Sequence, residues 1–241
     1  MGSTCPSCGR EVMTEGGICP FCGASLPAAN DLRETLLPKG SPWERREELG
    51  ALRAYWQTWK AVLTFPGRFF ANLEVPGALW GPFLFGLITG LVGSLINMMW
   101  QVALLERNPT LQSLLSNLDA PASRVIPVLV ALLPLAVSLQ LFFLAGVYHV
   151  MILLLSGGGK GFSGTFGVVC YAAAPDLFYA VPFCGGIVAG IWSLFLTIVG
   201  LREVHQISGS RAALAVLVPL LSCIMVGLVA LYLAWSALLS L

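Results

Sequence analysis

Polar positions dominate the first 70 or so residues; beyond them, long apolar runs are separated by shorter, more polar stretches. The runs cover about 79–105, 125–155, 163–182, 186–201 and 212–240. An α-helix needs roughly 20 apolar residues to cross a bilayer. The pattern therefore predicts an all-α membrane protein, a five-span helical bundle over 71–241. The second run is overlong, and Pro127 and Pro134 predict a bend or an interfacial entry within it. The turn Pro182-Phe183-Cys184-Gly185-Gly186 between the third and fourth runs carries no charge.

Residues 43–70 read differently. Leu49, Leu52, Trp56, Trp59 and Leu63 recur at steps of three and four, which is one face of a helix. Arg45, Glu48, Arg53 and Lys60 fall on the other face. Such an amphipathic helix, with Trp and basic residues, favours the bilayer interface; packing on the ends of the bundle explains the same stripe. Pro66-Gly67 is expected to end it, leaving Phe69 and Phe70 at the membrane surface. Trp56, Trp59, Phe69 and Phe70 are thus the candidate membrane-interface residues. Residues 27–42, rich in Pro, Ala and polar side chains, read as a linker.

Composition agrees with the pattern. Hydrophobic residues make up 57% of the 241 and charged ones 10%, against about 25% charged in soluble domains. Nothing in the net charge of +1 points to nucleic acid. Eight of the 13 Lys and Arg lie at or before Arg68. With five spans and the N-terminus cytoplasmic, every basic residue except Arg107 and Arg124 falls on the inner side, as the positive-inside rule requires. The polar start carries no secretory signal, so the expected location is the cell (inner) membrane with the C-terminus outside.

Residues 1–26 carry two knuckles, Cys5-Pro6-Ser7-Cys8-Gly9 and Cys19-Pro20-Phe21-Cys22-Gly23. Two such pairs bring four thiolates to one tetrahedral zinc. The expectation is a small zinc-ribbon holding one structural Zn2+ through Cys5, Cys8, Cys19 and Cys22. So short a segment cannot bury a core, so the metal should supply most of its stability. A cytoplasmic head disfavours disulfides. Cys170, Cys184 and Cys223 lie in apolar tracts and read as packing residues.

The stretch CYAAAPDLFYAVP, residues 170–182, places Pro175 and Asp176 inside the third run. Asp176 would sit ~20 Å deep at 1.5 Å per residue, where an acid costs about 2.5–3.5 kcal/mol on insertion scales. Asn97 and Gln140 match it in depth, and Tyr171 matches His149 nearer the inner side. Asn97, Gln140, Tyr171, Pro175 and Asp176 therefore form a candidate intramembrane polar site. The alternatives are a proline kink in which local backbone groups satisfy the acid, or an Asp at the outer boundary if the helix stops at Pro175. Pro175 should free a carbonyl near Tyr171.

Three stretches carry a family resemblance. They are Val62-Leu63-Thr64-Phe65-Pro66-Gly67-Arg68-Phe69-Phe70; Gly161-Phe162-Ser163-Gly164-Thr165-Phe166 leading into Tyr171-Ala172-Ala173-Ala174-Pro175; and Trp192 through Gly200-Leu201 with His205 and Ala212. With them the chain resembles the Yip domain family, the Rab/Ypt-interacting multi-pass membrane proteins and their bacterial relatives. The resemblance implies five spans and a cytoplasmic N-terminus. The head is similar to short zinc-ribbons at the N-termini of bacterial membrane proteins.

The function expected is that of a non-enzymatic membrane adaptor or bilayer organiser. Its partners are the lipid bilayer and a cytosolic protein docked by the zinc-ribbon, and a homo-oligomer is compatible with the pattern. One alternative is a transporter or lipid scramblase working through a polar site around Asp176. Another is a rhomboid-like serine protease, from Gly161-Phe162-Ser163-Gly164 with His205. The chain has no His-Glu-x-x-His. Gly157-Gly158-Gly159-Lys160-Gly161 lacks the Ser or Thr of a phosphate loop and reads as a turn.

Overall fold

The computed structural model describes residues 3–4, 7–12, 17–19, 21–26, 40–73, 79–104, 109, 113, 122–156 and 159–239. The chain divides into two compact units, Met1–Lys39 and Gly40–Leu241.

The first unit is built from two minimal hairpins. Strand β1 (Ser3–Thr4) pairs antiparallel with β2 (Glu11–Val12), and β3 (Gly17–Ile18) with β4 (Ser25–Leu26). Each turn contains a glycine in the left-handed region, Gly9 at φ 70° and Gly23 at φ 71°. Arg10 lies over the Phe21 ring at 5.0 Å and joins the two turns.

The second unit is helical. A 3-10 turn (Pro42–Arg45) runs into α1 (Arg46–Leu49), and after Gly50, at φ 81°, into α2 (Ala51–Thr64). Pro66 then opens α3 (Pro66–Ala71). The interfacial helix expected over 43–70 is therefore four short pieces. Pro66 ends one helix as expected and starts the next, because proline at the first helical position gives up no hydrogen bond. The long helices are α4 (Trp80–Ala103), α5 (Ala122–Ser156), α7 (Gly185–His205) and α8 (Gly209–Leu239). Between them α6 (Gly161–Ala172) is followed by a second 3-10 helix, Ala174–Ala180.

Four helices among the described residues are long and apolar enough to cross a membrane: Trp80–Ala103, Arg124–Leu155, Gly185–His205 and Gly209–Leu233. The protein is thus a multi-pass helical membrane protein. The expected third span is not one continuous α-helix. Pro175 has no N–H, so the α-helical ladder stops at Ala172 and the chain tightens into the 3-10 helix.

Contacts fix the helix directions. Phe83 and Phe166 stack at 6.3 Å, Gly86 lies against Cys170 and Gly93 against Asp176, so α4 runs parallel to α6 and its 3-10 extension. Helix α5 is antiparallel to both, with Val137 on Gly90 and Phe142 on Phe83 and Phe166. Helix α7 is also antiparallel to α6, with Gly185 under Phe178, Gly200 under Val168 and Val204 on Gly164. Helix α8 packs on α7 and α5 through its first half, where Ala212, Ala215 and Val216 are buried.

The main core gathers around Tyr171, which is fully buried with Phe85 at 5.1 Å and Phe69 at 5.0 Å. Its hydroxyl reaches Ser41 Oγ at 2.8 Å and donates to Glu44 Oε1 at 3.5 Å. Ser41 and Glu44 also form a capping box: the Glu44 N–H donates to Ser41 Oγ at 3.3 Å and the Ser41 N–H to Glu44 Oε2 at 3.0 Å. Trp43 is buried beside them; its N–H donates to Thr58 Oγ1 and its indole N–H to the Gly81 carbonyl, each at 2.8 Å. Residues 40–45 are thereby strapped across one end of the bundle.

Candidate functional site

In the first unit the sulfurs of Cys8, Cys19 and Cys22 lie within 4.8 Å of one another. Cys5 lies outside the described residues. The second knuckle is held by its backbone: the Cys19 N–H donates to the Ala24 carbonyl at 2.7 Å and the Gly23 N–H to the Cys19 carbonyl at 2.9 Å. Sulfurs bound ~2.3 Å from one tetrahedral zinc stand about 3.8 Å apart. Cys8 Sγ and Cys19 Sγ are 3.8 Å apart, so the thiols present fit such a group and could hold a metal.

In the second unit the break at Pro175 is satisfied by two neighbours. The Ser193 hydroxyl donates to the Ala172 carbonyl, and the Trp59 indole N–H donates to the Ala174 carbonyl at 2.8 Å. The acceptor freed in the 3-10 register is Ala172, one residue beyond Tyr171, and α7 supplies its donor; α2 adds a side-chain donor to Ala174, the first residue of the 3-10 helix. A freed carbonyl in a bundle without bulk water must find such a partner. Trp59→Phe is expected to remove this bond to the Ala174 carbonyl at a cost of about 0.5–1.5 kcal/mol. Thermal unfolding of the detergent-solubilised chain measures it, with Trp56→Phe, whose ring is 46% exposed, as the near-neutral control.

Beyond the break lies a cavity of about 400 Å3 between α4, α5, the second 3-10 helix and α7. Asp176, Asn97, Gln140, Ser94, Tyr179 and Ser193 supply its polar wall. Three residues matched by depth along the sequence are thus brought together here: Asn97, Gln140 and Asp176. Tyr171 and Pro175 are not; both are buried, and Tyr171 turns to Ser41 and Glu44 instead. The Asp176 carboxylate has no hydrogen bond or ion pair among the described residues. A second cavity, of about 420 Å3, adjoins the first and shares Asn97 and Tyr179 with it. Trp100 lines it, and the indole N–H of Trp100 is buried without an acceptor among the described residues.

The four aromatic residues expected at the interface separate. Trp56 is exposed and stacks on Trp59 at 4.6 Å, with Lys60 5.4 Å above its ring. Leu52 beside them is 84% exposed. The face that α2 buries is the small one, Ala54, Thr58 and Val62, which allows close approach; Tyr55 bonds Thr89 across the contact at 2.9 Å. Phe70, at 1% exposure, points into the core rather than to the surface, and Phe69 packs on Tyr171. The reason is the restart at Pro66, which swings α3 back toward Gly200, where the absent side chain leaves room for the Phe70 ring.

Reading along the sequence missed a third polar group. His149 Nδ1 lies 3.2 Å and His205 Nε2 2.9 Å from the Thr165 hydroxyl. Depth matching pairs His149 with Tyr171; the structure pairs it with Thr165. His205 is engaged with Thr165, and no hydrogen bond joins it to Ser163 among the described residues. The Ser41–Glu44 cap was also missed, although Ser-x-x-Glu is a readable helix-start signal. Of the three apolar-tract cysteines, Cys170 is a buried packing residue, while Cys184 and Cys223 are exposed.

Comparison with curated proteins and with solved structures finds no match. A model of the Yip1 domain matches residues 60–231. That stretch takes in α4 to α7, the break at Pro175 and both cavities, and covers most of the 241 residues. The chain belongs to the Yip1 domain family.

Proposed function

We infer that the protein is a membrane adaptor or bilayer-organising protein whose metal-clamped head docks a cytosolic partner beside the bilayer. The observation that carries this reading is its two-unit build. A thiol cluster suited to a metal forms one compact unit, and a Yip1-type helical body forms the other. The metal is one structural Zn2+, with Cys5 as the fourth ligand. Leu52 and Trp56, the exposed edge of α2, lie in the interfacial layer with Lys60 at their rim. The test is crosslinking capture with the full chain in its native membrane. The Cys8→Ser/Cys19→Ser variant should lose a discrete set of cytosolic proteins. An unchanged set counts against docking by the head.

The topology that goes with this reading has five passages, with the head in the cytoplasm of the inner membrane. Helix α6 rises ~18 Å at 1.5 Å per residue, and the seven-residue 3-10 helix adds ~14 Å at 2.0 Å per residue. Together they match a hydrocarbon core of about 30 Å. The alternating helix directions support the same count. Cys184 then lies on the outer side, next to the Gly185 start of α7. A membrane-impermeant maleimide should label intact cells at Cys184, and Cys184→Ala should remove the signal. With only four passages and the same head orientation Cys184 faces inward, and intact cells stay unlabelled.

A second reading is favoured by one observation, the two adjoining cavities that share Asn97 and Tyr179. They offer a polar route for a solute or a lipid headgroup past Asp176. Flux or scrambling in liposomes should then drop in Asp176→Asn, and equal rates count against it.

A further inference from the structure

We propose that the cavity around Asp176 is a binding site for an ammonium group, primary or quaternary, carried by a small amine or by a lipid head. The site stands whether or not anything passes through it, and it is independent of docking by the head.

Three features of the wall select the ligand. Its charge is of one sign: Asp176 lines the cavity, and no Lys, Arg or His among the described residues does. An anion entering there meets a carboxylate and no counter-charge. The carboxylate is also unspent, having no hydrogen bond or ion pair among the described residues. A half-buried acid with nothing paired to it leaves room for a cationic partner.

Size and aromatic character narrow the class. About 400 Å3 falls in the range of small-molecule pockets and exceeds what a bare metal ion fills. A hard cation also needs several oxygens converging at 2.3–2.6 Å, whereas Asp176 is the only acid among the lining residues described. Tyr148 and Tyr179 line the same space. Aromatic faces beside a carboxylate attract ammonium groups through the ring quadrupole. Asn97, Gln140, Ser94 and Ser193 offer hydrogen-bonding oxygens to the N–H groups of a primary amine or to a neighbouring hydroxyl.

The test uses the full chain purified in a detergent without ammonium groups. Choline, ethanolamine and 3,3-dimethylbutan-1-ol, the neutral isostere of choline, are titrated while thermal unfolding is followed, with acetate and phosphate as anion controls. In parallel, native mass spectrometry compares retention of phosphatidylethanolamine with phosphatidylglycerol. Saturable stabilisation by an amine, with the neutral isostere at least tenfold weaker, supports the proposal and identifies a soluble amine as the source. Selective retention of phosphatidylethanolamine without a response to free amines supports it with a lipid head as the source. Asp176→Asn keeps the shape of the side chain and should weaken the responding ligand at least tenfold. Equal binding of the neutral isostere, binding of the anions, or no response to any amine or amine-bearing lipid overturns the proposal. The wild-type comparisons decide the matter even where Asp176→Asn does not fold.

Discussion

Replacing Gly93 by leucine should abolish the folded bundle, and even Gly93→Ala should weaken it measurably. A methyl group built on Gly93 meets the Asp176 Cβ and carbonyl oxygen at 2.8 Å and its carbonyl carbon at 3.1 Å. Two of those three atoms are backbone, so no rotamer change relieves the clash. The segment they belong to is already committed: its upstream carbonyls are held by Ser193 and Trp59. Overpacking of this kind costs about 1–3 kcal/mol for a small excess of volume. At roughly 2–4 °C per kcal/mol for a chain of this size, Gly93→Ala should melt several degrees lower. Gly93→Leu adds three further carbons and should leave no cooperative transition. Gly90→Ala is the graded comparison, because it meets only the Val137 side chain, at 2.8 Å from Cγ1. Gly227→Ala is the control: nothing lies within 4 Å of its added carbon, and alanine in a helix gains about 0.5–1 kcal/mol over glycine. Melting of the four variants in detergent should rank Gly227→Ala highest, then Gly90→Ala, Gly93→Ala and Gly93→Leu. A Gly93→Ala variant as stable as wild type would show that α4 does not approach the 3-10 segment this closely.

What was legible in the sequence follows from the range of the physics involved. Hydrophobic runs report on their own residues, so α4, α5, α7 and α8 stand close to where the apolar pattern puts them. Helical rise is constant, so counting from a membrane end predicts depth. That is why Asn97, Gln140 and Asp176, on three separate elements, line one cavity. Pro175 acts on its own backbone, and the break was readable. The donors that repair it were not, because Trp59 is 115 residues from Ala174 in the chain. The same limit hid the Ser41–Tyr171 bond, which spans 130 residues.

At α2, periodicity locates the apolar face but not which residues make the closest contact. The large apolar face, read as favouring the bilayer interface or else the ends of the bundle, is divided: Leu49, Trp59 and Leu63 pack partly against the core, while the closest contact is made by Ala54, Thr58 and Val62. In lipid, large apolar side chains gain little by moving from acyl chains to protein, so close packing of small residues decides the contact. The stripe of Leu52 and Trp56 is left outside for the same reason. Phe70 is the converse case: one of the pair expected at the surface goes inside because Gly200 leaves space for its ring.

The head should depend on metal so strongly that one cysteine decides it. Full-length protein is expected to carry one zinc per chain, and Cys19→Ser should reduce this to a small fraction. Cys8, Cys19 and Cys22 hold their sulfurs within 4.8 Å of one another, and Cys19 is buried. Thiolates at that spacing repel unless a cation sits among them, and protonated thiols offer only weak hydrogen bonds. The strands around them are two residues each, too short to fold on ladder bonds alone. Structural zinc in such modules contributes about 10–16 kcal/mol of apparent binding energy at neutral pH. Losing one thiolate forfeits enough of this to unfold the module. Trypsin should then cut Cys19→Ser at Arg10 while wild type resists, and a zinc chelator should make wild type behave like the variant. The body has its own core, centred on Tyr171 and Phe85, so its melting should stay within about 1 °C of wild type. Cys5→Ser should act like Cys19→Ser if the fourth ligand is Cys5. Stoichiometric zinc in Cys19→Ser, or a chelator-treated wild type that still resists trypsin at Arg10, would mean that the hairpins fold without metal and that the sulfur cluster is incidental.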